Sequence, residues 1–81
     1  MRPSIDLRSD LNAEDDDGNN WALLANAVDP ARVIAGAVLV AGTPRYWSVV
    51  RITGVDTDGQ VHFVQLGPDD PAARRLLATV A

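Results

Sequence analysis

The chain has 81 residues, a net charge of −4 and 47% apolar residues, with no cysteine, no lysine and one histidine, His62. That inventory excludes a thiol nucleophile, a thiolate metal site, a Schiff-base amine and a His-pair metal centre, and no cofactor is expected. An acidic chain without clustered cations is also a poor ligand for phosphate backbones, so no nucleic-acid partner is expected.

Residues 1–18 read as an acidic, flexible N-terminal segment, ahead of a single small α+β domain over 19–81. Up to Pro30 the chain carries two Arg against six Asp and one Glu. The opening Met1-Arg2-Pro3-Ser4-Ile5-Asp6 has no apolar run of the signal-peptide kind. The longest apolar stretch, Val33 to Ala41, is too short to span a bilayer. Together with the lack of cysteine, this points to a cytoplasmic protein with no membrane association. Ile5, Leu7 and Leu11 are the segment's only apolar anchors. Asp15-Asp16-Asp17-Gly18-Asn19-Asn20 favours turns, because these side chains compete for backbone hydrogen bonds. A calcium-loop reading fails: with Gly18 at the sixth position, Ala13 falls at the first and Leu24 at the twelfth, where ligands are required. The run is expected to be a solvated loop capping a helix.

Residues 19–28 predict that helix. Trp21, Leu24, Ala25 and Val28 recur at i, i+3, i+4 and i+7, and Asp29-Pro30 stops it. Three strands then follow: Ala37–Ala41, apolar on both faces; Arg45–Thr53, rich in β-branched and aromatic residues; and Gln60–Leu66. Thr43-Pro44 and Asp56-Thr57-Asp58-Gly59 supply the turns. Short connections predict a three-stranded antiparallel meander, either flat or a partly open SH3-like barrel. Gly36 and Gly42 lack the spacing of a phosphate loop. Pro71 begins a C-terminal helix over about 70–80, capped by Asp69 or Asp70 and carrying Ala73, Leu76, Leu77 and Val80 on its apolar stripe.

The middle strand has two faces. Tyr46, Ser48, Val50 and Ile52 read as core, whereas Arg45, Trp47, Val49 and Arg51 combine aromatic and cationic groups of the kind enriched at binding surfaces. These four are the interface candidates. Asp15, Asp16 and Asp17 form a second candidate, an acidic segment for a basic partner or small ligand. His62 has Asp56 and Asp58 across the hairpin turn, and Ser48 is the only hydroxyl with a claim to be a nucleophile. No Gly-x-Ser-x-Gly elbow surrounds it, and the residue pattern reads as an ordinary sheet histidine rather than a catalytic site.

The order of these segments, from the acidic Asn-Gly stretch and Trp21 helix through Asp29-Pro30, Ile34, Gly36–Gly42, Val55-Asp56 and Val61-His62, resembles short uncharacterised proteins of high-GC Gram-positive bacteria (actinobacteria). The resemblance covers about two-thirds of the chain and implies no activity. The functional expectation is therefore a non-enzymatic protein-interaction module that binds a protein partner or forms a homodimer. The alternative is a small regulatory or inhibitory domain, antitoxin-like, acting through its acidic segment.

Overall fold

The computed structural model describes residues 4–80, with side chains through Thr79, so Met1–Pro3 and the Val80 side chain of the apolar stripe lie outside the described residues. Five strands form one curled sheet: β1 (Leu7–Arg8), β2 (Asn20–Leu23), β3 (Val38–Thr43), β4 (Tyr46–Val55) and β5 (Gln60–Gln65). The spatial order is β1-β3-β4-β5-β2, with β1 parallel to β3 and the other pairs antiparallel. One helix, α1 (Pro71–Val80), follows.

This corrects the expected architecture of a three-stranded meander flanked by two helices. Residues 19–28 are not a helix. Asn20–Leu23 is a strand on the outer edge of β5, and Leu24–Asn26 a single 3₁₀ turn. The helical stripe would have buried Val28, which is 78% exposed. The strand instead buries Asn20 and Ala22 at period two. A ten-residue helix cut short by Pro30 has little stability of its own, whereas pairing with β5 satisfies the backbone groups of residues 20–23 at once.

The N-terminal segment supplies the fifth strand. Leu7 pairs with Ala41 of β3 and is also bridged to Ala27, where the Val28 N–H donates to the Asp6 carbonyl at 3.0 Å. This bridge brings the segment that follows β2 back against β1. Inside the curled sheet, Leu7, Leu11, Ala22, Val33, Leu39, Ala41, Val50, Ile52, Val61 and Phe63 form the core. The opposite face carries α1, whose Ala73 is buried along with Val40 and Val49. The helix starts where the Asp70 carboxylate accepts the Ala72 N–H at 2.8 Å, with Pro71 at a position that needs no donor.

Gly42 is held at φ +122, and a Cβ there would run into the Tyr46 carbonyl and lie 2.8 Å from the Trp47 Cα. The tight β3–β4 turn therefore requires glycine. Among the described residues, no helix is long and apolar enough to cross a membrane.

Candidate functional site

The lone histidine meets one of the carboxylates that lie across the hairpin turn in sequence, Asp56, and a second, Asp15, that sequence proximity does not suggest. His62 lies on β5 opposite Trp21 of β2 and Gly54 of β4, beside a register shift between Ile52 and Gly54. By strand alternation its side chain points away from the core face that Val61 and Phe63 occupy. Helix α1 contacts β3 and β4. The acidic loop and the hairpin turn flank His62 instead.

The loop is shaped by Asp15. Its Oδ1 accepts the N–H groups of Asp17 and Asn19, both at 2.9 Å. The Asp15 N–H donates to the Asn19 carbonyl at 2.7 Å, and Gly18 adopts φ +82. One carboxylate oxygen is thus committed to the turn. The other, Oδ2, accepts from His62 Nδ1 at 2.6 Å, a contact between residues 47 apart in the chain. On the other side of the ring, Nε2 donates to Asp56 Oδ2 at 2.8 Å. The three side chains differ in exposure: 20% for His62, 12% for Asp15 and 52% for Asp56.

Only the imidazolium donates from both nitrogens at once. The hydrogen bonds to Asp56 and then to Asp15, reinforced by both negative charges, raise the His62 pKa above its ordinary 6.5 against the opposing effect of burial. For Asp15, burial raises the pKa, but the hydrogen bonds from His62 and from the Asn19 and Asp17 N–H groups outweigh it and hold the carboxyl below its ordinary 3.8. In this state the ring stores a proton and offers no free lone pair to abstract another. Ser48 projects from the other face of the sheet, its Oγ 3.3 Å from the Val49 carbonyl, so it does not stand beside the histidine.

Two shallow hollows flank the ring. One is lined by Glu14, Asp15, Asp16, Asp17, Trp21 and Gln60, the other by Asp15, Asp17, Asn19, Thr53, Gly54 and Asp56. Asp16 and Asp17 are exposed, and the loop that carries them leads into β2, so it caps no helix. Among the described residues, the ion pairs are Arg32–Asp6 and the two made by His62, so no arginine pairs with this end. No group of three or more His, Asp and Glu side chains among them is arranged to hold a metal ion.

The surface of Arg45, Trp47, Val49 and Arg51 is partly covered by the chain itself. Val49 is buried, and Trp47 is half-buried along a crevice shared with Leu66, Ala73 and Leu77 of the α1 region. Arg51 is exposed on β4, and Arg45 is exposed in the turn that precedes it.

One further polar residue escapes a reading by pattern. Asn20 is 9% exposed and donates through Nδ2 to the carbonyls of Leu11 (2.8 Å) and Ala13 (3.0 Å). Its Oδ1 accepts from Gln65 Nε2 at 3.1 Å. It fastens the acidic loop to the sheet. Its only sequence signal is its place before Trp21-Ala22-Leu23, where a strand would turn it inward.

Fold and site together define a curled mixed sheet with a single covering helix and a histidine–dicarboxylate clasp at one end. Comparison of the chain with protein-family models, with curated proteins and with solved structures finds no match.

Proposed function

We propose that this chain is a non-enzymatic protein-interaction module whose acidic end receives a basic partner. The observation that supports this is the convergence at one end of the sheet of Glu14, Asp15, Asp16 and Asp17 with the turn that carries Asp56 and Asp58. His62 is the only cation paired there among the described residues. One positive charge against six carboxylates leaves a negative field that steers a cationic surface and weakens with salt. A ring with both nitrogens occupied favours binding over proton-transfer chemistry. The lack of cysteine fits a reducing compartment, the cytoplasm.

The test is an octa-arginine titration of the labelled protein, followed by amide shifts at low and high salt. Shifts confined to residues 13–21 and 53–62, lost in Asp16→Asn/Asp17→Asn but kept in Asp10→Asn/Asp69→Asn, support the reading. Equal losses in the two double variants would reduce it to a bulk charge effect.

A second reading, self-association through Arg45, Trp47 and Arg51, draws on the exposed Tyr46 beside the half-buried Trp47. Sedimentation equilibrium separates the two: a dimer that Trp47→Ala dissociates, with the fold intact, would favour this surface.

A further inference from the structure

The clasp at His62 joins two segments that make no strand pairing with each other. The loop around Asp15 is anchored to β2 by the Glu14–Asn20 bridge, and the turn after β4 carries Asp56. Each carboxylate accepts from the ring, and the ring has two donors only while protonated. Neutral imidazole keeps one N–H and turns a lone pair toward the other carboxylate at under 3 Å. One of the two contacts must then fail.

The structure indicates which. Asp15 is mostly buried, and its other oxygen is fixed by two backbone N–H groups, so its position is set independently of the histidine. Among the described residues, the Asp56 carboxylate makes its one side-chain hydrogen bond with His62, and it is half exposed, so it reaches water by a rotamer change. The turn itself stays closed through Asp56 N–H to the Gln60 carbonyl at 2.8 Å and Gly59 N–H to the Asp56 carbonyl at 3.0 Å.

We propose that His62 is a pH-operated clasp. Protonated, it ties the Asp15 loop to the Asp56 turn; deprotonated, it keeps its N–H on Nδ1 toward Asp15 and releases the Asp56 carboxylate to solvent. The groups that set the switch are Glu14, Asp15, Asp16 and Asp17 from the loop and Asp56 and Asp58 from the turn. Trp21 of β2, Thr53 and Gly54 of β4 and Gln60 of β5 carry no charge. Arg51 of β4 pairs in register with Val64, two positions along β5, and makes no ion pair among the described residues. The raised pKa of His62 puts the transition above 6.5.

The consequence for binding rests on the acidic-end reading, whereas the clasp does not. With Asp56 freed and one positive charge gone, octa-arginine should bind more tightly above the transition, by about two- to fivefold, the effect of one exposed charge pair.

The experiment is a pH titration of the wild-type protein from 5 to 9. It follows the His62 ring nitrogens, the side-chain carboxyl carbons and the backbone amides by NMR. The expected result is an Nδ1–H tautomer at high pH, an Asp56 carboxyl carbon that shifts with the ring's own midpoint, and unmoved Asp17 and Asn19 amides. An Nε2–H tautomer with shifting Asp17 and Asn19 amides would overturn the proposal, as would a ring that titrates without moving Asp56. Asp56→Asn gives a second check, since it should lower the ring's midpoint and leave the Asp15 turn amides in place. If the ring and Asp56 behave as stated but octa-arginine does not bind the acidic end on either side of the transition, the clasp stands and the acidic-end reading falls.

Discussion

Asn20→Ala is the sharpest probe of how the N-terminal segment is held. The side chain makes three hydrogen bonds in a site that is 9% exposed, two donated to the Leu11 and Ala13 carbonyls and one accepted from Gln65. A typical hydrogen bond contributes a net ~0.5–1.5 kcal/mol, and a buried group left without a partner costs more. Gln65 Nε2 lies 3.4 Å from the Leu11 carbonyl and retains part of one interaction. The expected cost is therefore about 2–4 kcal/mol, against a total of about 4–12 kcal/mol for a domain of this length. At about 4–8 °C per kcal/mol for small domains, Tm should fall by about 8–32 °C. Thermal and urea unfolding followed by circular dichroism measure this directly. Asn20→Asp is the companion: it puts an oxygen where two carbonyls need a donor, and it should cost at least as much, increasingly so once the carboxyl ionises. If residue 20 headed a helix instead, losing a cap would cost only about 1 kcal/mol. A Tm loss under about 3 °C, or an Asn20→Asp protein as stable as wild type, would refute the assigned network.

Three other substitutions or conditions test separate parts of the fold. Gly42→Ala places a methyl against rigid backbone at a positive φ and should abolish folding or lower Tm beyond what Gly59→Ala does, since Gly59 opens onto free space; equal effects would contradict the turn geometry. Wild-type stability should be highest between about pH 3.8 and 6.5. The stabilisation from His62 is full below 6.5 and is lost as pH climbs through its raised folded-state pKa, while that from Asp15 is full above 3.8 and is lost as pH falls through its lowered folded-state pKa. Urea midpoints at pH 3, 5 and 9 give the profile, and His62→Gln should flatten its alkaline limb. Trp47→Ala removes a half-buried ring beside α1 and should cost about 1–2 kcal/mol, less than the ~3–5 kcal/mol of a fully buried one, with faster amide exchange in 72–79. Unchanged exchange there would mean that the ring does not hold the helix.

The sequence makes β3, β4, β5 and α1 legible because each has its own local signal. These are β-branched runs with turn residues between them and an Asp-Pro cap ahead of an apolar stripe. The N-terminal half lacks such signals for specific reasons. Over residues 20–28, helical and strand periods compete within a window too short to separate them. The residue that would reveal the strand is Asn20, polar although it faces inward. β1 has two residues, so no period exists to detect; its pairing is set by Leu7 fitting under Ala41. The His62–Asp56 contact spans one hairpin turn and is visible as proximity in sequence. Asp15 arrives from 47 residues away, which only the β2–β5 pairing explains.

That placement decides how the acidic segment can be tested. Deleting residues 1–17 looks like a clean way to ask whether it binds a partner, but the segment is part of the core. Leu7 and Leu11 are 0% and 4% exposed. The Asp6 carboxylate accepts the Val40 N–H at 3.0 Å, and the Leu7–Ala27 bridge joins β1 to the segment after β2. Emptying two leucine sites costs about 2–5 kcal/mol each, of the same order as the stability of the whole domain. The truncated chain should therefore show the circular dichroism of an unfolded protein and no cooperative melt. Loss of binding in it would say nothing about charge. A truncated protein that folds and melts cooperatively would instead show that the sheet closes without β1, and the anchoring role assigned to Leu7 and Leu11 would be wrong. Substitutions at Asp16 and Asp17, whose side chains are exposed, leave those anchors in place and remain the informative probes of the acidic end.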